Sequence, residues 1–292
     1  MNRRVREKRI EGIQRARELL ELSRKRDLIA EEIEELKTSH TGYGGMWKGN
    51  SQYFTPSIVA DFMVGLLPDL KDGSKILEFS SGAGSIIRAL YDRNSNIEVT
   101  GVEIDGELAE IASICYPQAN IIHDNALYYL KEFEKKYDIV IGNPPFGQAP
   151  KIEGYEQAKG KYEEYFLELA VRSLKEGGEG VLIVPGGLLV NRSSKPIRKW
   201  LLDCCYYRGT VSLPPETFYF SGTQCKTSII FFKKKYSGYT IENYPIFMAI
   251  CENIGWDNRG RIKGEDGDLD IILKAYKDYL GETKSIQGRL VG

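Results

Sequence analysis

Histidine is nearly absent from this chain: its 292 residues include two, His40 and His123. So few imidazoles leave little from which to build a histidine-rich metal site or a Ser-His triad. The five cysteines, at 115, 204, 205, 225 and 251, are odd in number and contain no C-x-x-C pair. Neither a disulfide framework nor a zinc site is expected, and a reducing cytoplasm fits best. No apolar run reaches the ~18 residues that a membrane span requires. The first residues, Met1 to Gln14, lack the apolar stretch of a secretion signal. Net charge is also lacking, with 40 Lys+Arg against 41 Asp+Glu and a formal charge of −1. A chain that engages many phosphates on its own usually shows a basic excess.

What is present is ordinary for a soluble globular protein, 42% hydrophobic and 28% charged residues. The length fits one large α/β domain with short appendages. We divide the chain into 1–45, an amphipathic and basic helix with a Gly-rich loop; 46–236, the main domain; and 237–292, a small extension. Ile10, Ile13, Leu19, Leu20, Ile33 and Leu36 recur at helical spacing, which predicts one helix over 1–37. Residues 1–26 hold ten Lys/Arg against four Asp/Glu. That helix either lies on its own domain or serves as a partner-facing or nucleic-acid-facing arm. Thr38 to Asn50 reads as a Gly-rich loop.

From there strands and helices alternate. Strands are expected at 75–79, 97–104, 120–124, 138–142, 180–185, 208–213 and 227–234, and helices over Ser85–Arg93, Glu107–Cys115, Tyr162–Lys175 and Lys195–Cys204. Such alternation predicts a doubly wound, mostly parallel sheet of about seven strands with helices on both faces. The two late strands lie close together in sequence and should form an antiparallel hairpin at one edge. Residues 237–292 show an apolar patch, a Gly/Asp-rich loop and a helix at 268–280, too little for a second large core.

Four motifs carry chemistry. Glu78-Phe79-Ser80-Ser81-Gly82-Ala83-Gly84 stands directly after a strand and before a helix, where glycines let the backbone approach a ligand. It lacks the third glycine of the dinucleotide fingerprint, which argues against a nicotinamide cofactor. Glu103, in Val102-Glu103-Ile104-Asp105, ends the next strand about 20 residues on, where a carboxylate can accept from both ribose hydroxyls. Asp124, in His123-Asp124-Asn125-Ala126, either accepts from an exocyclic amino group or caps the following helix. Asn143-Pro144-Pro145-Phe146 follows a buried strand. Consecutive prolines remove two N–H donors and fix the backbone. The Asn143 amide oxygen and the Pro144 carbonyl can then each accept one proton of an –NH₂ group. Phe146 offers a face for a planar base.

With these motifs in this order the chain resembles the S-adenosylmethionine-dependent N6-adenine DNA methyltransferases whose cofactor motifs precede N-P-P-F/Y. Ser51-Gln52-Tyr53-Phe54-Thr55-Pro56 is similar to the "QFFTP" segment of type I modification subunits and related type II restriction-modification enzymes. Val184-Pro185-Gly186-Gly187-Leu188-Leu189, then Ser212-Leu213-Pro214-Pro215-Glu216-Thr217-Phe218, resemble their later motifs. The resemblance covers about 50–235 and implies a class I, Rossmann-like methyltransferase fold. It further implies that Tyr53 and Thr55 lie against the methionine moiety, and that Glu78, Ser80, Gly82 and Gly84 surround methionine and ribose. Glu103 would bind the ribose hydroxyls, with Ile104 beside it. Asp124 would bind the adenine amino group, with Asn125 and Ala126 beside it. Asn143, Pro144, Pro145 and Phe146 would be catalytic, with Phe218 on the base's other face (Phe220 the near alternative) and Lys226 at the DNA. Phe79 stands where the family often has proline, a change expected to alter loop stiffness.

The implied reaction passes a methyl group to N6 of a flipped-out adenine in double-stranded DNA and leaves S-adenosylhomocysteine. No metal is implied. Nothing in the chain reads as a groove-entering recognition element, so specificity is expected from a partner subunit or a target-recognition region not in this chain. The basic candidates are the 1–26 arm, Arg192, Lys195, Arg198, Lys199, Lys226 and Lys233–Lys235. An RNA adenine or a protein glutamine presents the same planar NH₂, and a non-catalytic cofactor-binding subunit is the alternative of another class.

Overall fold

The computed structural model describes residues 3–41, 54–238, 241–264 and 267–282. Its helices and strands, in chain order, begin with α1 (Arg3–Ser23), α2 (Ala30–Thr41), α3 (Ser57–Gly65), β1 (Lys75–Glu78), α4 (Ser85–Arg93), β2 (Glu98–Glu103), α5 (Gly106–Cys115) and β3 (Asn120–His123). They continue with α6 (Leu130–Phe133), β4 (Tyr137–Gly142), α7 (Tyr162–Ser173), β5 (Leu174–Pro185), α8 (Gly186–Val190) and α9 (Lys195–Cys204). The last are β6 (Cys205–Ser212), β7 (Thr227–Lys234), β8 (Phe247–Ile250) and α10 (Leu269–Glu282).

The strands form one sheet of order β3-β2-β1-β4-β5-β7-β6-β8. β1 to β5 run parallel, and β7 is antiparallel to both β5 and β6. The expected hairpin is therefore present. It does not end the sheet, because β8 pairs in parallel with β6 and makes eight strands where seven were expected. The apolar patch near Phe247 is this eighth strand. Ile254, Trp256, Leu269, Ile272 and Tyr276 carry the C-terminal segment into the main core.

Alternate residues of the central strands face opposite layers, as a pleated strand requires. Ile76, Ile139, Ile141, Val181 and Ile183 pack with α3, α4 and α10 on one face. Leu77, Val140, Leu182 and Val184 pack with α7 and α9 on the other. Apolar burial on both faces is what a parallel sheet under crossover helices demands.

The expected single helix over 1–37 is two helices. Glu32 reaches back to accept from the Ile29 N–H at 3.0 Å, the capping arrangement that starts α2 afresh after a turn at 24–26. Arg15 bonds Glu35 across the two helices, and Arg17 and Arg24 bond Glu107 and Glu110 of α5. These arginines are engaged by the domain's own carboxylates, so this part of the basic arm lies on its own fold. Of the loop expected over Thr38–Asn50, residues 38–41 belong to α2 and the rest lies outside the described residues.

Candidate active site

Four parallel strands end along one edge of the sheet, and a polar motif begins at each end. Glu78 closes β1, Glu103 closes β2, Asp124 follows β3 and Asn143 follows β4. The strand order reverses its direction of growth between β1 and β4, and ligands of open α/β sheets bind at such a switch point. A cavity of about 350 Å³ lies there, within the size range of small-ligand sites. Its walls include Thr55, Glu78, Ser80, Gly82, Glu103, Ile104, Asp124, Asn125 and Ala126, and the whole Asn143-Pro144-Pro145-Phe146 run. Among the described residues its lining contains three carboxylates and no Lys, Arg or His.

Glu78 is 1% exposed, and its Oε2 has no hydrogen-bond partner among the described residues; the hydroxyls of Ser80 and Ser81 share that condition. Burial, reinforced by the nearby Glu103, pushes the Glu78 carboxyl well above the usual carboxylate range. Glu103 accepts from the Gly82 N–H through Oε2 at 2.8 Å and from the Asp105 N–H through Oε1 at 2.9 Å. Burial raises this carboxyl too, and those N–H groups partly offset the rise. Asp105, not Glu103, caps α5, accepting from Glu107 and Leu108. That division of labour leaves Glu103 turned to the cavity.

The same division recurs after β3. Asn125 caps the following 3-10 turn through Leu127, so Asp124 is not the cap. Asp124 accepts from the Asn125 N–H at 2.7 Å and from the Tyr129 hydroxyl at 2.9 Å, and both hold its carboxyl below its ordinary value. Ile104, 57% exposed, offers an apolar face at the cavity wall.

Asn143 is buried and donates through Nδ2 to the Thr55 hydroxyl oxygen at 3.2 Å. That contact fixes the amide so that Oδ1 is its acceptor atom. The Phe54–Thr55 segment is itself pinned, since Ser85 donates to the Thr55 carbonyl and Ser221 to the Phe54 carbonyl. Phe146 is half-buried at the wall. Phe79 packs on Phe166 with ring centroids 5.1 Å apart and lies under Gly142, where an added Cβ would meet its ring at 2.9 Å. The ring thus supports the residue immediately before Asn143.

Three expected positions stand differently. Phe218 is 1% exposed and packed in the main core, so its ring presents no face to a base; partly buried Phe220 packs beside Trp256. Gly84 is not in the lining; it holds φ +91° at the start of α4, with its Cβ position against Tyr116. Tyr53 lies outside the described residues. Lys226 is exposed at the same sheet edge, its carbonyl accepting from the Gly186 N–H at 3.0 Å.

Sequence reasoning missed three glutamates of α7, Glu163, Glu164 and Glu168, all buried. Glu163 accepts from the Gly147 N–H and Glu164 from the Lys159 N–H. Glu168 accepts from the N–H groups of Glu156, Gln157 and Ala158. Together they fasten the loop that follows Phe146. The available signal was the unusual Tyr162-Glu163-Glu164-Tyr165-Phe166-Leu167-Glu168 run, acidic residues inside an apolar helix.

The family model described as N-6 DNA Methylase matches residues 26–285. The modification methylase CviBIII of Paramecium bursaria Chlorella virus NC1A is 31% identical over 159 residues, 51% of this chain and 41% of that protein. The type II methyltransferase M.TthHB8I of Thermus thermophilus is 30% identical over 235 residues, 72% of this chain and 51% of that protein. This chain thus spans about half the length of these relatives. The type I restriction-modification methyltransferase subunit of Streptococcus thermophilus superposes with a TM-score of 0.66 at 19% identity, covering 87% of this chain and 59% of that one. It shares the fold, that of class I S-adenosylmethionine-dependent methyltransferases, to which a putative Listeria monocytogenes enzyme of that class also superposes at a TM-score of 0.61. On the extent of the family match, the chain belongs to the N-6 DNA methylase family.

Proposed function

We propose that this chain transfers the methyl group of S-adenosylmethionine to N6 of adenine in double-stranded DNA, within a restriction-modification or related system. The carrying observation is the buried Asn143 amide, oriented by Thr55 and set beside a cavity that the described residues line with carboxylates and no cation.

The residues present fit the cofactor. Glu78 Oε2 and the Ser80 hydroxyl are buried and lack partners among the described residues. Such groups are costly unless a ligand supplies their hydrogen bonds, and a cationic amino group would do so. Glu103 keeps lone pairs for ribose hydroxyls, Asp124 for an exocyclic amino group, and Ile104 for an adenine face. When bound, the cofactor supplies an electrophilic methyl group on a sulfonium.

The chain's own residues then act on the acceptor. Asn143 Oδ1 and the Pro144 carbonyl accept the two protons of the target NH₂ group, which frees the nitrogen lone pair from the ring and aims it. As the nitrogen becomes positive, the same two oxygens stabilise it electrostatically, and the methylated nitrogen then gives up one proton to solvent to become neutral. Phe146 stacks on the base, and base–aromatic stacking returns about 1–3 kcal/mol toward the few kcal/mol of unpairing. Holding two reactants in line accounts for much of the acceleration. Specificity comes from a partner subunit or a recognition region beyond this chain, and the five thiols fit a reducing cytoplasm.

The test is transfer of labelled methyl from S-adenosylmethionine to unmethylated duplex DNA, followed by digestion to nucleosides. The expected result is label in N6-methyladenine for the wild type and none for Asn143→Ala. Label in RNA or protein, with none in DNA even after a specificity subunit is added, overturns the reading.

A further inference from the structure

We infer that Arg192 and Lys195, with Lys226 at the same sheet edge, form a rim that binds DNA backbone phosphates next to the flipped adenine. The inference rests on the DNA reading above and adds where this chain grips the duplex.

Placement comes first. β4 and β5 end at the sheet edge that carries Asn143, and β7 begins there, Pro185 pairing with Thr227. Arg192 and Lys195 lie in the connection between α8 and α9, just beyond the end of β5, and Lys226 immediately precedes β7. All three are exposed.

Charge comes second. Residues 180–202 contain Arg192, Lys195, Arg198 and Lys199 and no Asp or Glu, and residues 217–235 contain no acid either. A chain with a net charge of −1 therefore has an acid-free stretch at its site edge. Among the described residues, no ion pair or hydrogen bond uses the Arg192, Lys195 or Lys226 side chains. Lys199 of α9 is exposed as well, and several of the remaining basic candidates are committed. Arg15, Arg17 and Arg24 pair with glutamates. Arg198 donates to the Leu188 and Asn191 carbonyls. Lys234 and Lys235 donate to the Val171 and Leu202 carbonyls, and Lys233 is buried.

Rigidity comes third. Ser194, 1% exposed and lying between Arg192 and Lys195, donates to Glu164 Oε1 at 2.8 Å. Glu164 Oε2 accepts from the Lys159 N–H at 2.8 Å. One buried carboxylate thus fastens the rim to the loop that follows Phe146, and Arg198 holds the same turn from its other side. A phosphate bound by Arg192 or Lys195 would be held in register with the base-stacking residue. Contacts of this kind position the duplex and read no sequence, which agrees with specificity arising elsewhere.

The test measures binding of a labelled DNA duplex over roughly 50 to 200 mM salt. It compares the wild type, Arg192→Ala/Lys195→Ala and Lys136→Ala, the last an exposed lysine at the opposite sheet edge. Each lost phosphate contact should lower the slope of log K against log salt by about 0.9. The double variant should therefore lose about 2 from the slope and roughly sixtyfold in affinity at 0.1 M salt, while Lys136→Ala matches the wild type. Unchanged S-adenosylmethionine binding in the double variant would confirm that the cavity is intact. Wild-type slope in the double variant, an equal loss in Lys136→Ala, or tighter binding of an RNA duplex of the same sequence overturns the rim. Methyl transfer is scored separately, so failure of the DNA-methylation reading is distinguishable from failure of the rim.

Discussion

Glu163 Oε2 accepts a hydrogen bond from the Gly147 N–H at 2.9 Å, joining the first turn of α7 to the residue directly after Phe146. Gly147 holds φ +108°, a conformation that only glycine adopts freely, so the chain turns sharply there and the N–H points into the protein. A buried carboxylate in that place sets where the Phe146 ring lies. Glu163→Ala should lower methyl transfer about ten- to hundredfold, since a misplacement of about 1 Å can cost that much. Cofactor affinity should be unchanged, because Glu163 does not line the cavity. Glu163→Gln retains an acceptor and should recover most of the activity. Fluorescence of a 2-aminopurine at the target position would read the defect directly: reduced base exposure in Glu163→Ala and near-normal exposure in Glu163→Gln.

Tyr129 and Asp124 offer a second, more local test. The Tyr129 hydroxyl donates to Asp124 Oδ2 at 2.9 Å and helps keep the carboxyl ionised. Tyr129→Phe should weaken S-adenosylmethionine binding a few fold, with kcat unchanged. The folded-state carboxyl is held below its unfolded value, so its contribution to stability is present above the unfolded pKa and is lost as pH falls through the folded one. Removing the hydroxyl moves that acid loss to higher pH. Thermal melts of the wild type and Tyr129→Phe from about pH 5 down to about pH 2, where the carboxylate is lost, would show whether it moves.

The strand ends were legible because parallel strands bring their carboxyl termini to one edge, so motifs far apart in sequence converge once the strand–helix alternation is read. Glu78, Glu103, Asp124 and Asn143 meet around one cavity for that reason. Phe218 was misplaced because Phe218, Tyr219 and Phe220 are consecutive aromatics in a 3-10 turn with a kink at Phe218, and pattern alone does not tell which ring points inward. β8 was missed because four residues alternating in burial at a sheet edge give too short a pattern. The α7 glutamates were missed for a different reason. Their partners are loop N–H groups, which every residue except proline carries, so the acidic run in an apolar helix signals buried carboxylates but not what they bind.

Gly84 shows how tightly the glycine turn is packed. Its φ is +91°, and an added Cβ would meet the Tyr116 ring at 2.4 Å. Gly84→Ala should destabilise the fold by about 1 kcal/mol from the backbone conformation and about 1–3 kcal/mol more from overpacking. At this chain length each kcal/mol lowers Tm by about 2–4 °C. Adding Tyr116→Ala would relieve the overpacking and leave the backbone cost, so the double variant should still melt below Tyr116→Ala alone. Equal melting temperatures for Tyr116→Ala with and without Gly84→Ala would show that conformation is not what keeps glycine there.

Glu78 carries a conflict between stability and binding. It is fully buried beside Glu103, and among the described residues no cation lines the cavity. Its carboxyl is raised when folded, so the folded state holds a proton that the unfolded chain releases at lower pH. Stability then falls as pH rises from the ordinary carboxylate value through the raised one. Glu78→Gln removes that loss. The variant should melt higher than the wild type at neutral and alkaline pH, by about 2–4 °C for each kcal/mol relieved, and the difference should shrink toward pH 4. Its affinity for S-adenosylmethionine should fall, because a neutral amide cannot pair with a cationic amino group as a carboxylate does. In the wild type, pairing with that cation requires Glu78 to give up its proton, so binding should release protons. Titration calorimetry in two buffers of different ionisation enthalpy would detect the release, and Glu78→Gln should abolish it. Equal binding enthalpies in both buffers for the wild type would mean that Glu78 is already ionised in the empty cavity, and the expected stability gain of Glu78→Gln would fail with it.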